Sequence, residues 1–341
     1  MKIKVGIVGY GTIGKRVADA VLLQKDMELV GITGHSYNFR IEAAKKHGIE
    51  VYTIGDEIQF KKNNISVAGN FNDLLKKVDV IVDCSPKPFG ADNKKKYIEA
   101  GVKGIYQGGE KADVGEVSFV AQCNYDEAVN KNHIRVVSCN TTGLARTIGA
   151  INKKHTIQRV RATLIRRATD PGEIKKGPIN AIVPSLELPS HHGPDVRTVL
   201  HEIEVFTTAV VVPTTIMHMH NLSVDLKKDD ISAEEILNIF REAPRIRIVS
   251  EDEGIESTAQ IMEFARDLGY KRGDMMDICV WKEGIGVHGK ELFFTQAVHQ
   301  ESDVIPENID AIRAAMGFKD GKKSMEMTDK SLNIFDIKKK Y

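Results

Sequence analysis

The stretch Gly9-Tyr10-Gly11-Thr12-Ile13-Gly14 constrains the fold of this chain more than any other. It follows a near-continuous apolar run, Ile3-Lys4-Val5-Gly6-Ile7-Val8, of the kind that forms a strand of a buried parallel sheet. A helical pattern comes next, with Val17, Ala18, Val21 and Leu22 on one face, and then a second β-rich run over 28–33. Strand, glycine turn, helix and strand in that order are the context in which G-x-G-x-x-G binds a dinucleotide. Gly9 permits the tight turn, Gly11 lets a pyrophosphate approach the backbone, and Gly14 lets the helix lie close to the strand.

The end of the second strand reads Ile32-Thr33-Gly34-His35-Ser36-Tyr37-Asn38-Phe39-Arg40. An NAD site usually carries an Asp or Glu about 20 residues after the glycines, to hold the ribose 2′-hydroxyl. No acid is present, and Thr33, His35, Ser36 and Arg40 suit a 2′-phosphate instead. The expected cofactor is NADP, or NADP and NAD both.

Further apolar strands at 78–83, 102–106 and 134–137 alternate with helical patterns. They end in polar or glycine-rich turns, Cys84-Ser85-Pro86-Lys87-Pro88 and Gln107-Gly108-Gly109-Glu110 among them. This alternation predicts a Rossmann-type α/β domain, a doubly wound parallel sheet, over residues 1–139. After Lys154 the pattern changes to long β-rich segments, at 157–167, 202–212, 214–225, 245–250, 277–282 and 290–298. Helices are expected from Ser232 and over 258–268. Residues 140–302 therefore read as an α+β domain with a mostly antiparallel sheet. A C-terminal helical segment, about 303–341, follows a domain that is already complete, and is expected to pack back on the first domain.

The 341 residues leave room for two domains. Basic and acidic side chains number 48 and 47, a net charge of +1, which gives no general attraction to nucleic acid or membrane. The four cysteines form no C-x-x-C pair, so neither a zinc site nor a disulfide framework is expected. The longest apolar run, 209–217, is interrupted by Pro213 and threonines and spans no bilayer. A strand begins at once, without a signal peptide, and the expected setting is cytoplasmic.

Against that frame of two domains stands Ser138-Cys139-Asn140-Thr141-Thr142-Gly143, between a β-branched run and a helical pattern. A cysteine at a helix start meets unpaired N–H groups and the positive helix end, which favour a thiolate and hold an oxyanion or phosphate. Alone it is no better than a small buried hydrophobe. Three polar stretches of the second half change that: Arg166-Arg167-Ala168-Thr169-Asp170-Pro171, Ser190-His191-His192-Gly193-Pro194-Asp195, and Thr214-Thr215-Ile216-Met217-His218-Met219-His220-Asn221. Strand alternation sends His218 and His220 to one face.

Taken together these stretches, with Gln107-Gly108-Gly109-Glu110 and His299-Gln300-Glu301-Ser302, resemble the archaeal-type, phosphorylating glyceraldehyde-3-phosphate dehydrogenases. The resemblance runs in order over almost the whole chain. It implies reversible oxidative phosphorylation of D-glyceraldehyde 3-phosphate to 1,3-bisphosphoglycerate, in glycolysis and gluconeogenesis, by a homotetramer. It makes Cys139 the nucleophile that forms a thiohemiacetal and then a thioester, and puts the base on the Met217-His218-Met219-His220 strand. His218 is expected to be that base, with His220 as the alternative. Ser138, Asn140 and Thr141 are candidates for oxyanion and phosphate oxygens, and Arg166, Arg167, His191 and His192 for the phosphate dianion. The family's cofactor contacts fall on Thr12, Ile13, Gly109, Arg167 and Gln300, with Gln300 orienting the carboxamide. Arg167 is thus claimed by substrate phosphate and cofactor alike.

Overall fold

The computed structural model describes residues 2–107, 109–169, 177, 180–228 and 231–334. Gly108, Asp170, Pro171 and the chain after residue 334, all named in the expectations above, lie outside the described residues. The elements in chain order begin with β1 (Ile3–Val8), α1 (Thr12–Leu22), β2 (Met27–Gly34), α2 (Phe39–Lys46), β3 (Val51–Thr53), α3 (Ile58–Lys62) and β4 (Gly69–Asn70). They continue with α4 (Phe71–Leu75), β5 (Val80–Asp83), α5 (Phe89–Ala100), β6 (Lys103–Tyr106), β7 (Val117–Phe119), α6 (Ala121–Ala128) and β8 (His133–Val136). Then come α7 (Cys139–Asn152), β9 (Ile157–Arg167), β10 (Val183–Pro184), α8 (His192–Val196), β11 (Val205–Val212), β12 (His218–Leu226) and α9 (Ala233–Glu242). The last are β13 (Ile246–Val249), α10 (Thr258–Asp267), β14 (Ile278–Trp281), β15 (Gly286–His288), β16 (Glu291–Val298), α11 (Ile305–Ala315) and α12 (Gly321–Ser331).

By compactness the chain divides into two units, Met1–Ser138 with Ile305–Asn333, and Cys139–Val304. The first holds an eight-stranded sheet in the order β4-β3-β2-β1-β5-β6-β8-β7. Every pairing in it is parallel. Val5, Ile7 and Val8 of β1 and Val80, Ile81 and Val82 of β5 are fully buried, as the near-continuous apolar runs require. The strand order reverses between β1 and β5, the place where an open parallel sheet leaves a crevice for a ligand. The helices α11 and α12 belong to this unit. Glu307 accepts from the Ala121 N–H at 2.6 Å, Asn308 donates to Gln107 at 3.0 Å, and buried Arg313 is paired with Asp26 at 2.8 Å.

The second unit holds an eight-stranded mixed sheet, β10-β11-β9-β12-β16-β14-β13 with β15 on β16. Its pairings are antiparallel except β9 with β11 and β13 with β14. Leu144, Ile148 and Ile151 of α7 pack into a core with Val160, Leu164, Leu222, Val224, Phe240 and Phe294. The helix lies tight on β16: a Cβ on Gly143 would stand 2.6 Å from a methyl of Val298. Ser232 caps α9 by accepting from the Glu235 N–H at 3.1 Å, as the sequence pattern required.

Two local departures from the sequence reading bear on the site. The strand expected over 214–225 begins only at His218, because Met217 is left-handed, with φ of 69°. The Gln300 amide holds this turn from both sides, accepting from the Met217 N–H at 2.7 Å and donating to the Thr215 carbonyl at 3.0 Å. A strained backbone of this kind persists only where its surroundings over-determine it. The second lies in the polar stretch from Ser190 to Asp195, for which the sequence reading gave no helix and which contains the single helical turn α8.

Candidate active site

Cys139 is the first residue of α7, so its sulfur sits where the helix N–H groups lack partners within the helix. Cys139 as a residue is half-buried, while α7 from Asn140 to Ile151 is buried. Two histidines of β12 reach this end of α7, each by a different group. His218 Nε2 lies 3.6 Å from Cys139 Sγ, and His218 Nδ1 accepts from the Arg167 backbone N–H at 3.0 Å. His220, on the same buried face, lies between two amides: its Nε2 is 2.9 Å from Asn140 Oδ1 and its Nδ1 is 3.1 Å from Gln296 Nε2. The two histidines that the sequence left as alternatives are thus separated by their partners. His218 faces the thiol, and His220 holds the Asn140 side chain.

Burial and charge compete with the helix end at this sulfur. Burial pushes the Cys139 thiol up to about 12, and the Asp303 carboxylate adds to that. Arg167, the Asn140 N–H and Arg166 pull the other way. Desolvation holds His218 well below its ordinary 6.5, with His220, Arg167, Arg166 and His192 opposing its charge further. Burial also lowers His220 to about 3 and His192 to about 2. Burial thus disfavours charge on the Cys139 sulfur and on the His192, His218 and His220 rings.

Arg166 and Arg167 end β9. The Arg166 Nε is buried without a hydrogen-bond partner among the described residues, and burial lowers its affinity for its proton. A guanidinium held in that way is a site for an anion. His191 and His192 stack with ring centroids 3.9 Å apart. His192 Nδ1 lies 3.1 Å from Ser190 Oγ, which in turn meets Thr207 Oγ1 at 2.8 Å. Because His192 is neutral here, the charge assistance expected of it falls to the arginines. Thr141 is buried, and its hydroxyl donates a hydrogen bond to Asp195 at 2.6 Å. Ser138 immediately precedes α7. Asp195, Thr207, Gln296 and Asp303 were not picked from the sequence as site residues. Asp195 alone had a signal, as the last residue of the Ser190-His191-His192-Gly193-Pro194-Asp195 stretch; the others come from distant segments.

The glycine turn lies in the first unit. Gly9 has φ of 84°, and a Cβ on it would stand 2.7 Å from the Ser85 nitrogen. A Cβ on Gly14 would stand 2.0 Å from the Gly9 carbonyl oxygen, so only glycine fits there. Gly11, the residue before α1, would meet nothing within 4 Å and makes no side-chain cap. The N–H groups of Thr12 and Ile13 thus open α1 with clear space at Gly11, which fits a dinucleotide pyrophosphate. Gly109, at φ of 79°, also has open space at its Cβ position. Thr33 is buried, its hydroxyl accepting from the Gly9 N–H at 3.3 Å, so it supports the turn from beneath. Arg40 is in the first turn of α2, its guanidinium 5.0 Å from the Phe39 ring centre, and Asn38 caps that helix. His35 and Ser36 occupy the bend between β2 and α2. Gln300, expected at the carboxamide, has both ends of its amide engaged with the Thr215–Met217 turn.

Comparison with known proteins follows the same division. Residues 138–283 match the family model described as glyceraldehyde 3-phosphate dehydrogenase, C-terminal domain, and residues 3–107 match dihydrodipicolinate reductase, N-terminus. A glyceraldehyde-3-phosphate dehydrogenase of Pyrococcus furiosus is 55% identical over 336 residues, covering 98% of this chain and 99% of that protein. Those of Methanococcoides burtonii and Archaeoglobus fulgidus are 52% and 51% identical, each over 98% of this chain. Among solved structures, aspartate semialdehyde dehydrogenase II of Vibrio cholerae superposes with a TM-score of 0.67 at 15% identity, over 93% of this chain and 98% of that one. That likeness shows a shared fold.

Proposed function

Since this chain belongs to the glyceraldehyde-3-phosphate dehydrogenase family, we propose that it catalyses the reversible oxidative phosphorylation of D-glyceraldehyde 3-phosphate to 1,3-bisphosphoglycerate, through Cys139. It is an oxidoreductase that uses NAD or NADP, and works in the cytoplasm within glycolysis or gluconeogenesis. The observation that carries the assignment of the site is the 3.6 Å approach of His218 Nε2 to Cys139 Sγ at the start of α7, beside Arg166 and Arg167.

The residues divide the work as follows. Cys139 attacks the aldehyde carbon to give a thiohemiacetal, and after oxidation carries the thioester that inorganic phosphate cleaves. His218 serves the sulfur and the reacting oxygen. Asn140, held by His220, and the N–H groups that open α7 stabilise the oxyanion. Arg166 is the principal anchor for phosphate, with Ser138, Thr141, His191, His192 and Arg167 around the same charge. Gly9, Gly11, Thr12, Ile13 and Gly14 would hold the pyrophosphate of the dinucleotide, and Arg40 would meet the phosphate on its adenosine ribose. Gly109, Thr33, Arg167 and Gln300 complete its set. When bound, the dinucleotide supplies a hydride acceptor.

The active form is proposed to be a homotetramer. Phe206 of β11 and Phe293 of β16 point away from the core of their sheet and are 42% and 43% exposed, and Leu186, beyond β10, is 90% exposed. Exposed apolar surface of this kind supports association between copies. Light scattering should give four times the 37.8 kDa chain mass; the mass of one chain would overturn that part.

Initial rates with glyceraldehyde 3-phosphate, with and without inorganic phosphate, test the reaction in each cofactor. NAD(P)H formation should require phosphate. A rate independent of phosphate, or a preference for aspartate semialdehyde, would overturn the proposal.

A further inference from the structure

Gly109 is exposed, at φ of 79°, with open space at its Cβ position. Gln107 and Glu110, before and after it in the chain, are polar and yet buried, at 6% and 5% exposure. Each is held by a different helix. Gln107 Oε1 accepts from Asn308 Nδ2 of α11 at 3.0 Å, and the Gln107 N–H donates to the Asp83 carbonyl at 2.8 Å. Glu110 Oε1 accepts from the Gly90 N–H at 3.0 Å and from the Ala91 N–H at 3.3 Å, at the start of α5. Pro88, the residue before α5, makes no side-chain cap. Gly90 and Ala91 are the second and third residues of the helix, whose N–H groups a capping side chain would normally take. Glu110 therefore caps α5 from 20 residues further along the chain, and a carboxylate suits the positive helix end.

The helix that Glu110 grips is itself fixed to β5. Asp83, the last residue of β5, accepts from Asn93 Nδ2 at 3.0 Å and from the Tyr97 hydroxyl at 2.6 Å, both on α5. The fit at Glu110 is close: a Cβ on Gly90 would stand 3.0 Å from Glu110 Oε1 and 3.3 Å from its Cγ. We infer that Glu110 is a positioning residue of the dinucleotide site, its carboxylate clasped on the start of α5 so that the exposed Gly109 backbone is kept in its left-handed form for the cofactor. This rests on the reading that places Gly109 among the dinucleotide contacts. Glu110 acts through Gly109, with Gln107 and Asn308 as the anchor on the other side.

Glycine has the widest conformational freedom of any residue, so an unanchored Gly109 would spread over many backbone states. A ligand that needs one state binds in proportion to the fraction of molecules already in it. Anchors on both sides raise that fraction before the cofactor arrives, which is pre-organisation. The effect falls on affinity for the dinucleotide. It leaves the chemistry at Cys139, in the other unit, unaltered.

Calorimetric titration with NADP separates a clasp from a contact that only stabilises the fold. Glu110→Ala should weaken NADP binding about fivefold, the factor that a typical helix cap represents, and raise the KM for NADP alike. The KM for glyceraldehyde 3-phosphate and kcat should hold. Glu110→Gln, which keeps an acceptor oxygen, should recover most of the affinity. In the protein without cofactor, hydrogen exchange in peptides covering 89–91 should be faster in Glu110→Ala than in Glu110→Gln. Wild-type NADP affinity in a folded Glu110→Ala would overturn the inference, as would equal losses in the two variants. Gly90→Ala serves where Glu110→Ala does not fold. Alanine favours a helix over glycine, so thermal unfolding should not fall, yet its Cβ crowds Glu110 Oε1 and should weaken NADP binding; unchanged binding there also counts against the clasp. Gly109→Asn tests the underlying reading, since asparagine tolerates a left-handed backbone and has room at its Cβ. It should crowd the dinucleotide and weaken NADP binding. Unchanged binding in Gly109→Asn would sink that reading and the inference with it. Weakened binding there, beside wild-type affinity in Glu110→Ala, would sink the inference alone.

Discussion

Two strand-to-helix turns organise this protein, and they are built by opposite means. At Gly9 to Gly14 the chain removes side chains. Gly14 has no room for a Cβ, and Gly11 leaves open space in front of α1. What remains to bind a ligand is backbone, contributed by one contiguous stretch. At Ser138 to Gly143 the chain keeps polar side chains and brings others to them. His218 and His220 come from β12, Arg166 from β9, Gln296 from β16 and Asp195 from α8. A diphosphate needs only N–H groups and space, which local sequence supplies. Making and breaking a C–S bond needs a nucleophile, a donor and a countercharge at set distances, which no single turn can present.

That contrast predicts how each turn fails. The largest effect is expected from Cys139→Ser, which should reduce aldehyde-dependent NADP reduction by about 10⁴-fold or more, judged by other enzymes that lose a nucleophile. NADP binding measured by fluorescence titration should stay near wild type; a joint loss would break the division between the two turns. Next is Gly14→Ala. With its Cβ 2.0 Å from the Gly9 oxygen, it should destabilise the fold by about 1–3 kcal/mol or more, read in thermal unfolding. Gly11→Ala, whose Cβ meets nothing, should leave unfolding unchanged and weaken only dinucleotide binding. Equal melting temperatures for the two variants would contradict the packing argument.

Arg166→Gln should follow, raising the KM for glyceraldehyde 3-phosphate by about 10–100-fold, the scale of a charge-assisted hydrogen bond. Acid stability sharpens the comparison, because the strongly shifted imidazoles of His192 and His220 belong to the second site. His192 and His220 are held at about 2 and about 3, against an ordinary 6.5. Between those values the unfolded chain binds protons that the folded one refuses. Their stabilisation is therefore complete above about pH 6.5 and declines as the pH falls toward 3, by about 1.4 kcal/mol per pH unit for each histidine. Denaturant unfolding at pH 7 and pH 5 should show this slope, reduced by one histidine's share in His220→Gln; an unchanged slope would exclude His220 from it. The smallest effect is expected at Arg40→Ala, a few-fold loss of the NADP over NAD preference in kcat/KM. A wild-type enzyme that favours NAD would remove the basis for that assignment.

Much of this was legible in the sequence because it rests on local rules. The apolar runs before Gly9 and Cys139 become buried parallel strands, and the alternation up to Val136 becomes a sheet with its order reversed beside Gly9. The strand register of His218 and His220, both inward, follows from a period of two. Short elements such as β7 and α8 were not legible, since three to five residues carry too little periodicity to separate a strand or helical turn from a loop. Gln300 is a case of a different kind: the motif around it was plain, but that its amide also braces the turn at Met217 was not.

The sequence by itself determined that this chain builds a dinucleotide-type sheet, a second β-rich unit and a cysteine at a helix start, because each depends on neighbours in the chain. Only the tertiary structure decided which histidine meets that cysteine and with which nitrogen. Burial opposes the helix end and raises the Cys139 thiol, and the backbone N–H of Arg167 meets His218 at Nδ1, on the far side of the ring from the sulfur. Proton positions depend on desolvation and on hydrogen-bond partners, and here those partners stand 51 and 79 residues away along the chain.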